Sequence, residues 1–230
     1  MSIQPRERQP ALGEAAIAIG IIWAFDLAVF AGAALLAMRE PDKPDVVPWL
    51  IGALVQWAWA MAVCGFVVCR RHRLGFREGF AVRPVHLATL VWNAATGILA
   101  ASAATALVLH FAPKEPATAQ AAVTPAATAL FCVMMLTVPV AEELYYRGFV
   151  YGVLARRLRP VFAIPLIAFW FGLAHLAQTQ GLLALVPFPF IMGAVLAWFR
   201  HRSGSATASF ACHWAYNATL VAAALGGLGG

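Results

Sequence analysis

The sequence contains little charge. Of its 230 residues only 11% are charged, whereas 62% are hydrophobic. A soluble domain carries about 25% charged residues, so this shortage excludes a soluble globular protein. The apolar residues come in blocks of roughly the 20-residue length that crosses a bilayer, and in lipid such blocks are helices because the backbone must satisfy its own hydrogen bonds. The sequence therefore predicts an all-α, polytopic transmembrane bundle that forms a single membrane domain over residues 1–230.

Seven apolar blocks have the length of a membrane span. They lie near residues 12–38, 48–69, 86–111, 124–155, 161–178, 181–199 and 204–225. Because the first block lacks a nearby small-residue cleavage site and exceeds signal-peptide length, we expect it to remain in the protein. Seven spans place the two termini on opposite sides of the membrane.

Cysteine is scarce, and no pair of cysteines has CxxC spacing. The four cysteines all lie within or at the ends of apolar blocks. That placement is typical of small buried apolar residues rather than of disulfides or metal ligands. The helical His-Glu-x-x-His zinc motif is also absent.

Basic residues are distributed unevenly among the connections between blocks. With a cytoplasmic N-terminus, twelve of the sixteen basic residues fall inside: Arg6, Arg8, Arg70, Arg71, Arg73, Arg77, Arg83, Arg156, Arg157, Arg159, Arg200 and Arg202. The positive-inside rule selects this orientation. It also explains the net charge of +6 without nucleic acid, and we expect membrane lipids, especially anionic headgroups, to contact these clusters.

Few ionisable groups lie deep within the apolar blocks, where such groups are costly and usually functional. They are Asp26, Glu142, Glu143, Arg147, His175 and His213. Glu143 and Arg147 are four residues apart, the spacing of an ion pair on one helical face. Glu142 points about 100° away from that face, which leaves it without this partner and makes it a candidate general base. Pro139 weakens the helix just before the pair.

Two further polar groups follow on later blocks. His175 lies in the fifth block, and His213 and Asn217 lie four residues apart in the last. A bundle that gathers them around Glu142 would place a base and a histidine to polarise water, with a second histidine and an amide to stabilise an oxyanion. A lone His or Asn in a membrane helix more often bonds a neighbouring helix, so the hydrolytic interpretation depends on the combination. Asp26 belongs to no such group. The open alternatives for this residue are a helix cap, an ion pair with Arg147 or a position facing a cavity.

Three short patterns in this region resemble those of the CAAX-protease and bacteriocin-processing family of intramembrane peptidases, which includes the Ras-converting prenyl-protein endopeptidases. The patterns are Glu142-Glu143-x-x-x-Arg147, Phe171-x-x-x-His175 and His213-x-x-x-Asn217, in that order. The resemblance covers residues 124–225, which would form the catalytic core helices, while the first three blocks match only in being hydrophobic.

The resemblance implies an intramembrane endopeptidase with an assigned role for each motif residue. Glu142 and His175 would activate a water, His213 and Asn217 would stabilise the oxyanion, and Glu143 and Arg147 would support the site. Glu142, His175 and His213 would also suit Zn²⁺. We favour a metal-free glutamate mechanism because Asn217 is a poor zinc ligand and a good oxyanion donor. The expected partner is a membrane-associated protein or peptide substrate.

Other functions fit the sequence less well. Aspartyl intramembrane proteases need two membrane aspartates, and the Gly-x-Ser of a serine type is matched only by Ser203-Gly-Ser205 in a basic connection. A non-catalytic scaffold or a bacteriocin immunity or secretion protein of the same fold is the main alternative. A proton-coupled carrier is disfavoured by the lack of internal repeats. The excess of Arg over Lys and the abundance of Ala are compatible with a GC-rich bacterial genome, so we expect a multi-pass protein of a bacterial inner membrane.

Overall fold

A computed structural model describes residues 10–39, 47–111, 125–176 and 183–227. Every regular element in these ranges is helical, which confirms the all-α prediction. The elements are α1 (Leu12–Arg39), α2 (Val47–Gly65) with a π-helical extension (Phe66–Arg71), α3 (Phe76–Gly79), α4 (Leu87–Phe111), α5 (Pro125–Glu142) with a π-helical extension (Glu143–Val150), α6 (Tyr151–Leu154), α7 (Pro160–Ala174), a 3₁₀ turn (Leu183–Leu185), α8 (Pro187–Ser203) and α9 (Ala206–Gly227).

Five helical stretches of the described chain are long and apolar enough to cross a membrane. They are Leu12–Leu35, Leu50–Arg71, Leu87–Phe111, Thr128–Leu154 and Leu183–Ser203, and each coincides with a predicted span. The chain is thus a multi-pass membrane protein.

The other two predicted spans coincide with α7 and α9, which do not meet the same criteria. α7 has only 15 residues, shorter than the roughly 20 that a bilayer requires. It ends at Ala174 and not at residue 178 as predicted, although residues 177 and 178 lie outside the described chain. α9 has 22 residues, but His213, Tyr216 and Asn217 make it less apolar.

The outer surface of the bundle is apolar. Along α1 the side chains of Ile17, Leu27, Phe30 and Leu35 are each more than 60% exposed. Contiguous exposed apolar surface of this extent is unstable in water. The same surface is the expected exterior of a protein whose solvent is lipid.

Small residues allow the helices of the core to approach closely. A Cβ atom at Gly97 of α4 would overlap the carbonyl of Cys212 on α9, and one at Gly193 of α8 would lie 2.9 Å from the Cα atom of Ala168 on α7. Close backbone approach is how membrane helices gain packing energy when lipid is as apolar as their own side chains. These contacts fix α9 and α8, which carry or support the polar residues of the core.

One end of the bundle is held together by contacts between basic connections. Arg71, at the end of α2, forms an ion pair with Glu14 at the start of α1. Arg156, in the turn after α6, donates to the Pro10 carbonyl oxygen at 2.7 Å. The start of α1 therefore meets two later connections at the same end of the molecule.

A fourth connection joins this arrangement through Ser205, which precedes α9. Its hydroxyl donates to the Arg83 carbonyl at 2.8 Å and accepts from the Arg83 amide at 3.1 Å. The Ala206 amide donates to the Ala81 carbonyl at 2.9 Å. Ser205 is thus a structural cap that fastens the loop before α4 to the start of α9.

Candidate active site

A proline shapes the helix that carries both glutamates. α5 ends at Glu142 and continues as the π-helical segment Glu143–Val150, a feature often found at functional sites. Pro139 inside α5 has no N–H, so the carbonyl of Met135 loses its donor within the helix. The side-chain amide of Asn217 on α9 donates to that carbonyl at 2.8 Å. The proline thus creates the acceptor that ties Asn217 to the glutamate helix.

Glu143 is the hub of a buried network. Its Oε1 accepts a hydrogen bond from Arg147 at 2.9 Å and lies 2.9 Å from Nδ1 of His213. Arg147 also donates to the Gly193 carbonyl at 3.2 Å. Glu143 is 1% exposed and Arg147 is fully buried. The predicted ion pair is present, and its connections to α8 and α9 are additional.

Glu142 stands between the two histidines. Its Oε2 lies 3.6 Å from Nε2 of His175 and 3.5 Å from Nε2 of His213. His175 immediately follows α7, and His213 lies within α9. Three groups separated by 33 and 38 residues in the sequence therefore converge on one carboxylate that is only 6% exposed.

The second nitrogen of each ring already has a partner. His175 Nδ1 lies 2.7 Å from the carbonyl oxygen of Phe171, which can only accept, so Nδ1 carries the proton. His213 Nδ1 faces the ion-paired carboxylate of Glu143 in the same way. In a neutral ring Nε2 is then a lone pair, which cannot bond directly to the Glu142 carboxylate. A water that donates one hydrogen bond to the Glu142 carboxylate and one to a histidine Nε2 would satisfy both acceptors.

Phe171 holds His175 and Arg147 apart. Its ring stacks on the imidazole of His175 with centroids 4.0 Å apart, and the Arg147 guanidinium carbon lies 4.4 Å from the ring centroid. The aromatic ring gives the guanidinium a cation–π contact and fixes the plane of the imidazole. The first residue of the Phe-x-x-x-His pattern is therefore a packing element of the site.

An apolar cavity of about 560 Å³ opens beside these groups. Glu142, His175, His213 and Asn217 all contribute to its wall. The rest of the wall is mainly hydrophobic and includes side chains such as Phe188, Met192, Tyr216 and Leu220. A cavity of this volume with few convergent polar groups is typical of a binding site for a partly apolar ligand.

The structure brings the sequence-predicted residues together and leaves one of the group apart. Glu142, His175, His213 and Asn217 meet at the cavity, and Glu143 with Arg147 lies behind them. Asp26 is not paired with Arg147: its Oδ1 is buried without a partner and it faces a second cavity.

Sequence reasoning missed two links of the site: the bond from His213 to Glu143 and the bond from Asn217 to Met135. The unusual proline was the only signal of the second link. The first link had no signal in the sequence.

A metal site requires several donor side chains close together. In the part of the chain that the structure describes, no group of three or more His, Cys, Asp or Glu side chains is arranged to hold a metal ion. Glu142 approaches each histidine, but the three groups do not form such a cage.

Comparison with known proteins gives one match. Residues 124–219 match the family of Rce1-like type II CAAX prenyl endopeptidases. The matched segment contains all three motifs, so the match confirms the resemblance seen in the sequence. Neither a curated protein nor a solved structure matches the chain.

Proposed function

We propose that this chain is an intramembrane endopeptidase that hydrolyses a peptide bond of a membrane-associated protein or peptide. The observation that carries the proposal is the Glu142 carboxylate, held within 3.6 Å of two imidazole nitrogens at the wall of an apolar cavity. The match of residues 124–219 to a family of prenyl endopeptidases supports the same reaction class.

The proposed reaction begins with a water that donates to Glu142 Oε2 and His175 Nε2. Both acceptors face each other at 3.6 Å, so one water can bond to both and direct its lone pair at a substrate carbonyl carbon. As the C–O bond forms, Glu142 accepts the water's proton and then returns it to the leaving amine. The products are a carboxylic acid and an amine, and the peptide C–N bond is broken.

The developing oxyanion needs hydrogen-bond donors, and His213 and Asn217 line the same cavity as Glu142. Asn217 uses one amide N–H for the Met135 carbonyl and retains a second for this purpose. We propose that His213, in its doubly protonated form, supplies the other donor. Donors fixed in advance are effective in a water-poor site because they need no reorganisation during the reaction. Glu143 and Arg147 position His213 and do not contact the substrate.

We propose that no metal takes part. Two histidines and a carboxylate are ligands that Zn²⁺ accepts, but the amide of Asn217 suits an oxyanion better than a metal. The test is activity of protein purified without metal and treated with a chelator, with metal content measured in parallel. Full activity is expected, and loss that Zn²⁺ restores would overturn the metal-free mechanism.

The central test compares Glu142→Gln with Glu143→Gln at matched membrane abundance. Glu142→Gln removes the base but keeps the shape, so processing should fall by at least about 10²-fold, the scale of general-base catalysis, with normal abundance. Glu143→Gln should lower abundance, because it weakens the buried pair with Arg147. Normal processing by Glu142→Gln would remove the base and favour the scaffold or immunity function.

We further propose seven membrane crossings, with a cytoplasmic N-terminus, in a bacterial inner membrane. The contacts of Arg71 with Glu14, Arg156 with Pro10 and Arg83 with Ser205 support this topology. These contacts join four connections at one end of the bundle. The chain must therefore cross the membrane an even number of times between any two of these connections.

Single cysteines at positions 73 and 157, in a variant without native cysteines, test this topology. They should react with an impermeant thiol reagent only in inverted vesicles. Labelling of either position in intact cells would reverse the orientation.

A further inference from the structure

A second cavity lies on the opposite side of the Glu142–His175 pair. Its volume is about 390 Å³, and it lies between α1, α2 and the glutamate helix. Its wall includes Asp26 and Gln56, together with the tyrosines that follow Glu143. In contrast to the first cavity, which is mainly hydrophobic, this one concentrates side chains that can donate or accept hydrogen bonds.

Two buried polar atoms of this wall have no protein partner. By geometry, neither Asp26 Oδ1 nor the Tyr145 hydroxyl makes a hydrogen bond, and both atoms are inaccessible; the Trp23 side chain lies beside the hydroxyl. Tyr145 is only 2% exposed. An unsatisfied buried polar group is destabilising in an apolar medium. Two such groups around one cavity favour water inside it, and at roughly 30 Å³ for each water there is room for several.

The two cavities meet at the proposed catalytic pair. Three side chains, Trp57, Glu142 and His175, contribute to both walls. Trp57 also packs against the ring of Tyr145 with centroids 6.0 Å apart. The carboxylate and imidazole that would activate a water therefore border two cavities, and the second has more hydrogen-bonding side chains in its wall than the first.

We propose that the second cavity is a hydration chamber, in which Asp26 and Tyr145 hold the water that Glu142 and His175 activate. This inference rests on the proposed peptidase function. Every hydrolysis consumes one water, and a substrate in the apolar cavity would block supply from its own side. The chamber replaces that water from behind the base. Asp26 is a positioning residue that binds water and exchanges no proton with the substrate.

Hydroxyl-radical footprinting by radiolysis tests the water directly, because radicals formed from bound water label even buried side chains. In lipid nanodiscs Tyr145 should be labelled several-fold faster than Tyr151, which is also 2% exposed and also has an unbonded hydroxyl but lines neither cavity. Ala60→Leu, which fills the chamber, should abolish that difference. The matched control Ala24→Leu, on the exposed face of α1, should preserve it. Equal labelling of both tyrosines in the unaltered protein would overturn the proposal.

Kinetics of Asp26 variants test the link to catalysis. Asp26→Leu, which fills the chamber and removes the water ligand, should lower kcat by about tenfold or more with KM changed by less than about twofold, as expected for a lost water and an intact substrate site. Asp26→Asn, which still binds water, should recover most of kcat. An unchanged kcat in Asp26→Leu would overturn the catalytic role.

The two proposals fail in different ways. If Glu142→Gln retains processing, the peptidase function fails whatever the footprint shows. If Glu142→Gln is inactive but Tyr145 is as protected as Tyr151, the hydration chamber alone fails. Retained labelling in Glu142→Gln would support a chamber that exists independently of turnover.

Discussion

The helices before and after residue 124 differ in what they bury. Among the described residues, the buried polar side chain of α1–α4 is Asn93. Those of α5–α9 and their connections are Glu142, Glu143, Arg147, Ser205, Ser209, His213 and Asn217. The first region is held by apolar packing, and the second by a polar network enclosed within apolar packing. The family match, over residues 124–219, falls on the second region.

This difference has a physical reason. Packing in lipid requires small residues and matching shapes, and many sequences satisfy that requirement. A buried network requires specific donors and acceptors in specific places, because a partly satisfied one is worse than none. The polar region is therefore the one that carries recognisable sequence patterns, and the family match falls there.

The largest loss of stability is expected from removing Arg147, the cation of the buried network. Arg147→Ala removes the cationic partner of the buried Glu143 and leaves His213 as its remaining contact, so we expect about 3–5 kcal/mol of destabilisation and reduced membrane abundance. Asn93→Ala removes one bond to the Ala208 carbonyl and should cost about 1 kcal/mol. Thermal unfolding in detergent measures both. Equal losses would contradict the division between the two regions.

A smaller effect should follow from repairing the helix at Pro139. Pro139→Ala restores a backbone N–H for the Met135 carbonyl, so that carbonyl no longer needs Asn217. We expect unchanged or increased stability but a kcat about tenfold lower, because an oxyanion donor loses its fixed position. Pro165→Ala, at an exposed proline inside α7, is the control and should leave kcat unchanged. Full activity of the Pro139→Ala variant would contradict the role of Asn217 as an oxyanion donor.

The smallest effect should come from the ion pair at the surface end of the bundle. Arg71 is 62% exposed at its side chain and Glu14 is 25% exposed, so Arg71→Gln should destabilise by about 0–1 kcal/mol. The loss should shrink further as salt is added, because exposed charges are screened. A loss as large as that of Arg147→Ala would show that the basic end, and not the buried network, holds the bundle together.

Much of the architecture was readable from hydropathy because apolar blocks of about 20 residues satisfy their backbone hydrogen bonds in lipid as helices. The apolar block near 161–178 corresponds to the shorter helix α7, which ends at Ala174, and the count of seven spans stays a prediction. Hydropathy counts residues but does not detect the point at which His175 leaves the helix to bond the Phe171 carbonyl. Periodicity predicted the pair of Glu143 with Arg147 correctly, since four residues on one helix meet without any help from the fold.

The amino-acid sequence alone predicted a multi-pass helical membrane protein, the residues of its polar core and the family resemblance of residues 124–219. These follow from composition, helical spacing and order along the chain, which are local properties. Three features depend on the tertiary structure. His213 bonds Glu143, Asn217 donates to the Met135 carbonyl that Pro139 leaves without a donor, and Asp26 faces the second cavity. Those contacts join helices far apart in the chain, and their partners are set by how the helices pack.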